Sequence, residues 1–433
     1  MGWRERYASK IMSADEAVRN IKPGENVVPG DFCAEPVHLI QALTDYAPQA
    51  GGKIKVSHGG NVGPEPHIAA GMEQYIDFQC FCAVPVSRKA LDECRAEYTP
   101  CFFYRWPEMM VEGGPQQCDV ALLQISTPDE DGRVSLGLSS DFTSIIPEVA
   151  RLVIMQVNPQ VPWVESNVTS LDKADCIVEF DEPLVELLDS VAGEKEKNIA
   201  KFVLPLIEDG ACLQIGRGKL PDYVLGQLFD RKHLGVHSEM ISDGVKKLME
   251  AGVIDNSKKQ IDTGKTVCSM VAGSADLYRW IDHNPDVVLK PVNYTNDPRT
   301  IALNDNVVSL NSGIEVDLLG QVVCDMIGPR QFTGIGGFAD FVRGAQMSRG
   351  GKSIIAFSAT SSDGKTSRVV PFTTYGAAVA STRWDTNYVV TEYGVAQLWG
   401  KTNRERVEEL INIAAPNFRE ELRREAIERK LLW

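Results

Sequence analysis

Histidine is scarce in this sequence, six among 433 residues, and no pair stands at a metal-binding spacing. His233 and His237 lie four apart, but in a segment of strand character, where that separation is about 13 Å. Cys80-Phe81-Cys82 is not a zinc spacing either. Neither a metal nor a permanently bound cofactor is therefore expected. The sequence also lacks an apolar run of the ~18 residues that a membrane helix needs. It has no Gly-x-Ser-x-Gly nucleophile elbow and no Walker A phosphate loop. Positive charge is in deficit, with 44 basic against 59 acidic residues and a formal net charge of −15. That balance excludes the basic face of a nucleic-acid binder. An anionic ligand must instead find local cations or backbone amides. No apolar stretch follows the opening MGWRERYASK, so no secretory signal is expected. The ten scattered cysteines then read as small buried hydrophobes in a reducing cytoplasm.

What is present is material for two packed interiors. Apolar residues make up 43% of the chain, and the length suits two domains of roughly 200 residues each. Short runs rich in β-branched or long aliphatic residues, such as Lys53–Ser57, Val120–Ile125, Leu152–Val157 and Ile177–Phe180, read as strands, and the most apolar of them as strands covered on both faces. Helical stretches lie between them, for example Ala14–Ile21 behind Ser13 as N-cap. The alternation predicts open, mainly parallel α/β sheets. Leu184–Ala200 reads as a helix with a charged centre, after which the strand grammar restarts at Cys212–Ile215 and continues through VVSLNS and SIIAFS. The boundary is placed near Gly193, giving domains 1–193 and 194–433. Arg404–Ile411 and Phe418–Lys430 show amphipathic helical spacing.

Three motifs carry chemistry. The strand LQI runs into Gly216-Arg217-Gly218-Lys219-Leu220-Pro221. Such a turn either is an ordinary strand-to-helix connection or brings backbone amides against an anionic ligand. Read as a dinucleotide fingerprint it lacks the third glycine, since Pro221 stands there, though Glu239 supplies an acid about 20 residues on. That pattern keeps a nicotinamide-dependent oxidoreductase as an alternative. Second, HLGVHS ends in Glu239, a carboxylate at the carboxyl end of a strand, which serves as a nucleophile or base or else is a solvated loop acid. Third, in Gln331–Phe341 three glycines fall within four positions, Gly334, Gly336 and Gly337. They form a flexible turn or present amides to an oxyanion, with Asp340 placed to cap the next helix. Asn293-Tyr-Thr-Asn296-Asp297-Pro298 adds a polar turn.

Together these blocks resemble the acetyl-CoA hydrolase/transferase family. The matching segments are LQIGRGKLPDYVL (213–225), HLGVHSEMISDGV (233–245), LNSGIEVDLLGQVV (310–323), FTGIGGFADFVRGA (332–345) and VVTEYGVAQLWGKT (389–402). ADEAV (14–18), SLGLSSDFT (135–143) and VNPQVP (157–162) extend the likeness over nearly the whole chain, and it is nearest to the 4-hydroxybutyrate CoA-transferase branch. The resemblance implies two similar open α/β domains with the active site at their interface, Glu239 as catalytic nucleophile, and coenzyme A as a substrate. It implies CoA contacts through Gly216, Arg217, Gly218, Lys219, Leu220, Gly313, Gly336 and Gly337. The amides of Arg217 and Gly337 would form an oxyanion hole, and Asn296 would position the substrate. A homo-oligomer, acyl-CoA and small carboxylic acids as partners, and no nucleic acid or membrane are implied as well. Arg217 stands where the family carries an aliphatic residue. A CoA-transferase using acetyl-CoA with 4-hydroxybutyrate or butyrate is expected. An acetyl-CoA hydrolase on the same scaffold and an inactive acyl-CoA-binding regulator are the remaining alternatives.

Overall fold

The computed structural model describes residues 2–433. The chain divides into two compact units. One runs to Leu188 and takes back Val267–Thr295; the other comprises Asp189–Thr266 and Asn296–Trp433. The sequence reading kept 194–433 in one piece, whereas the segment 267–295 packs with the N-terminal unit. Long-range backbone pairing holds it there. The amide of Val271 donates to Leu138 O at 2.8 Å, that of Ser140 to Ser269 O at 2.8 Å, and that of Val292 to Asp141 O at 3.1 Å.

The N-terminal unit is built on seven parallel strands. Across the sheet they run Ala96–Tyr98, Ile76–Cys80, Ile54–His58, Asn26–Pro29, Val120–Ile125, Leu152–Val157 and Cys176–Glu179. The chain works outward from Asn26–Pro29 in one direction, then returns to its other side, so the switch of direction lies between Asn26–Pro29 and Val120–Ile125. Every residue of Val120–Ile125 and Leu152–Val157 is buried, as runs without polar alternation require when helices cover both faces. Leu39, Leu43, Ile54, Ile76 and Leu122 belong to one core cluster. Ser13 caps Ala14–Val18 in a reciprocal box with Glu16: the Glu16 amide donates to Ser13 Oγ and the Ser13 amide to Glu16 Oε2.

The expected helix over Leu184–Ala200 begins only at Glu194, behind Gly193 as N-cap. The preceding stretch is extended. Leu188 and Val191 are 65% and 88% exposed, so no apolar stripe exists there to stabilise a helix. Hydrogen bonds hold the strand-like path instead, from Tyr278 Oη to Val185 O at 2.8 Å and from the Leu187 amide to Gly273 O at 3.0 Å.

The C-terminal unit carries six strands in the order Gly235–Val236, Cys212–Ile215, Val307–Asn311, Lys352–Ala356, Tyr388–Thr391 and Gly394–Gln397, parallel except for the last hairpin. Its direction switches between Cys212–Ile215 and Val307–Asn311. Helix Phe338–Met347 lies close on the short helix Pro298–Ile301, because Gly344 has no side chain; a Cβ there would come within 2.6 Å of Ile301. Asp340 is not the cap of that helix. Gly337 takes the N-cap position, and Asp340 is buried inside the first turn. The C-terminal helices form as Asn403–Ile413 and Arg419–Glu428. No helix among the described residues is long and apolar enough to cross a membrane.

Candidate active site

In open α/β sheets a crevice forms outside the carboxyl ends of the strands where the direction switches. In the C-terminal unit those ends are Ile215 and Asn311. Gly216 follows the first and Ser312 the second, and both line two adjoining pockets. Gln214 and Asn311, one from each of these adjacent strands, are tied by a hydrogen bond from Asn311 Nδ2 to Gln214 Oε1 at 3.1 Å.

The first pocket, about 320 Å³, is lined by the whole turn Gly216–Pro221 together with Glu196, Phe357 and Arg368. Gly218 has φ of +126°, a conformation that favours glycine, and so turns the chain from the strand into helix Lys219–Leu225. Lys219 is exposed and Arg368 half-buried at this pocket. Burial draws the Arg368 guanidinium below its usual range, and the charge of Glu392 offsets part of that pull. These cations supply the local positive charge that the overall balance lacks. The Arg217 side chain is tied down by an ion pair: its Nη1 donates to Asp189 Oδ1 at 2.9 Å, and the side chain is only 9% exposed.

The second pocket, about 230 Å³, holds Glu239. The strand expected over HLGVHS pairs only at Gly235–Val236, so Glu239 stands on a short irregular stretch beyond it and is half-buried rather than locked in a ladder. Its Oε2 accepts from Asn296 Nδ2 at 2.9 Å. Asn296 is fully buried and is fixed in sequence next to Asp297, which caps helix Pro298–Ile301 by accepting from the Arg299 amide. The facing wall is Thr333–Phe338. Gly336 has φ of +49°. At Gly337 a Cβ would overlap both Glu239 Oε2 and Asn296 Nδ2. Only glycine lets the backbone lie against this carboxylate and carboxamide.

The structure thus gathers Glu239, Asn296, Gly336 and Gly337 at one pocket and Arg217, Gly218, Lys219 and Leu220 at its neighbour, with Gly216 common to both. Gly313 is set apart. It is buried against Phe357, Val322 and Ile355, and its neighbours Asn311 and Ser312 line the pockets instead. Sequence reasoning missed Gln214, Asn311, Cys324 and Arg368. A polar residue inside the fully buried run CLQI was a usable signal for Gln214. Arg368, in a polar loop, offered none.

A half-buried carboxylate that accepts from an amide donor and is set against a glycine turn has the chemistry of a nucleophile toward an acyl group. Comparison with known proteins agrees. Residues 1–189 match the acetyl-CoA hydrolase/transferase N-terminal domain and residues 273–426 the C-terminal domain of the same family. The chain belongs to the acetyl-CoA hydrolase/transferase family. It is 44% identical to the 4-hydroxybutyrate coenzyme A transferase of Clostridium kluyveri, covering 98% of this chain and 99% of that one. Among solved structures, RipA from Yersinia pestis superposes with a TM-score of 0.93 at 33% identity over all of both chains. A 4-hydroxybutyrate CoA-transferase from Porphyromonas gingivalis gives 0.83 at 37% identity, covering 99% of this chain and all of that one. Curated acetyl-CoA hydrolases stand further off, at 24–26% identity. This member of the family is an acyl-CoA:carboxylate CoA-transferase, which displaces both the hydrolase and the oxidoreductase alternatives.

Proposed function

We propose that the chain moves CoA between acetyl-CoA or a similar acyl-CoA and a short-chain acid of the 4-hydroxybutyrate or butyrate type, with Glu239 as the covalent carrier. The observation that carries this reading is the Glu239 carboxylate, held by Asn296 against the bare backbone of Gly337. An ionised oxygen of Glu239 attacks the thioester carbonyl, and the tetrahedral oxyanion collapses with loss of CoA thiolate to leave a mixed anhydride. The thiolate then attacks the glutamyl carbonyl. The donor acid leaves as carboxylate, and a glutamyl-CoA thioester remains. An incoming carboxylate reverses both steps. The free energy of the thioester is conserved throughout, so no external energy source enters. Every tetrahedral species needs oxyanion donors, each worth about 3–4 kcal/mol; the amides of Arg217 and Gly337 are suited to this by their place at the pockets. The cations at the turn after Gly216 suit the phosphates of CoA.

No resident cofactor takes part in these steps. The reaction is assigned to the cytoplasm, a reading supported by ten cysteines of which none is in a disulfide. Family resemblance supports a homo-oligomer, which the mass from solution scattering checks.

The test is mass spectrometry of the protein after mixing with acyl-CoA. The peptide containing Glu239 should gain the mass of CoA less water, and borohydride should convert that adduct to an alcohol. Glu239→Gln should show no adduct. Initial rates against both substrates should give parallel double-reciprocal lines, as a ping-pong cycle demands. An unmodified protein with intersecting lines would remove the covalent carrier.

A further inference from the structure

A second constellation lies in the N-terminal unit, outside the chemistry above. Strand Ile54–His58 ends in a buried imidazole. The chain loops through glycines 59, 60 and 63 and returns at the turn Pro66–Ile68. That return brings Glu65 and His67 onto His58: His58 Nε2 is 3.0 Å from Glu65 Oε1 and 3.3 Å from His67 Nε2. One ligand atom from each of the three lies within 4.8 Å of the other two. Both side chains of the His58–Glu65 pair are fully buried, and His67 is 1% exposed. Phe78 closes the cluster, its ring centroid 4.8 Å from that of His58 and 5.4 Å from that of His67.

Hydrogen bonding alone accounts poorly for this arrangement. An Nε2 atom offers one hydrogen or one lone pair, yet that of His58 has two close polar neighbours. A buried imidazolium would need both its N–H groups paired, and Nδ1 of His58 and of His67 has no hydrogen-bond partner. Neither carboxylate oxygen of Glu65 meets a donor in hydrogen-bonding geometry, a costly state for a buried acid. Three lone-pair donors converging on one point are the arrangement of a metal site. With metal–nitrogen bonds of about 2.0–2.1 Å, two ligands of a tetrahedral ion are about 3.3 Å apart, which is the observed separation of the two imidazole nitrogens.

We propose that His58, Glu65 and His67 bind a divalent transition-metal ion, zinc by the nature of the donors, as a structural site in the N-terminal unit. Two imidazoles and a carboxylate form a borderline donor set that suits zinc over calcium or magnesium. The ion would fasten the loop 59–67 to the end of its strand. It would act beside the glycine amides that already anchor the loop, those of Gly59 and Gly60 to Asp31 Oδ1 and that of Gly63 to Glu35 Oε1. The nine-residue separation of His58 and His67 is no recognised metal spacing, so the cluster carries no metal signal in the sequence.

The full-length protein, expressed in zinc-supplemented medium and desalted without chelator, should carry about one zinc per chain by elemental mass spectrometry. Glu65→Gln and His67→Asn should each reduce that below about a tenth and lower the Tm, while Glu239→Gln retains the metal. If the variants fail to fold, wild-type protein refolded with Co²⁺ decides. Tetrahedral d–d bands in the visible support the site. Folded wild-type protein with less than about a tenth of an equivalent of any transition metal, and no cobalt spectrum, would overturn the proposal.

Discussion

Each unit places an acid beyond the carboxyl end of a strand of its main sheet, and the two acids differ in their surroundings. In the C-terminal unit Glu239 is half-exposed and has the Asn296 carboxamide for a partner. In the N-terminal unit Asp31 follows strand Asn26–Pro29 and is sealed from water together with Asp141. Burial first, and the charge of Asp141 second, push Asp31 well above the usual carboxylate range. Asp141 is raised as well, chiefly by burial. Glu35 is pushed up to about 9, by burial first and then by Glu65. Amides satisfy these acids, those of Gly59 and Gly60 donating to Asp31 at 3.1 Å each and that of Thr143 to Asp141 at 2.8 Å. A protonated, enclosed carboxyl is a structural hydrogen-bonding group and a poor nucleophile. Position beyond a strand's carboxyl end is common to both acids; solvation and the donor set distinguish them.

The sharpest way to break this contrast is Glu239→Gln. Turnover should fall by about a thousand-fold or more, with an unchanged Tm; a folded variant that still turns over would return the chemistry to another acid. Gly337→Ala comes next. Its methyl group displaces Glu239 or Asn296, and since a misplacement of about 1 Å costs on the order of 100-fold, kcat should drop by that factor while CoA still binds. Retained kcat would mean that the close approach at Gly337 is incidental. Asn296→Ala removes a hydrogen bond to an ionised carboxylate and should cost about 10- to 100-fold in kcat/KM, with Asn296→Gln no rescue, because the longer side chain cannot keep the 2.9 Å contact.

The smallest effect should come from the enclosed acids, and it appears in stability. Asp31 holds a proton in the folded state that the unfolded chain has released above about pH 4. Its contribution therefore declines as pH rises from there toward its elevated folded value. Wild-type Tm should fall between pH 6 and pH 9, and Asp31→Asn, which keeps an oxygen for the two glycine amides, should flatten that decline. An identical slope in the variant would show that Asp31 is ionised in the folded state after all.

Much of this was readable in the sequence wherever one short window held the whole cause. Val120–Ile125, Leu152–Val157 and Cys212–Ile215 are apolar but for one glutamine each and too short for helices, and they are strands with those bounds. The Ser13–Glu16 box and the glycine turns are likewise local. Glu239 stood out because it ended an apolar run. What depended on distant partners was hidden. Leu184–Val191 has helical composition, yet Leu188 and Val191 find no burial, and Tyr278 and Gly273 hold the stretch extended. That Gly337 takes the N-cap and Asp340 the buried first turn is set by the tertiary packing of the helix, which no local spacing reveals. The Arg217 ion pair with Asp189 joins residues 28 apart in a chain with many acids to choose from.

The chain leaves the N-terminal unit at Leu188 and comes back to it for Val267–Thr295 before ending in the other. During synthesis the first unit therefore cannot finish folding until residues 189–266 of the second have emerged, although N-terminal domains ordinarily fold first. Asn296, the partner of Glu239, is the first residue after that return. The Glu239 carboxylate thus leaves the ribosome before the carboxamide that holds it, and no single cut in the gene would yield either unit whole.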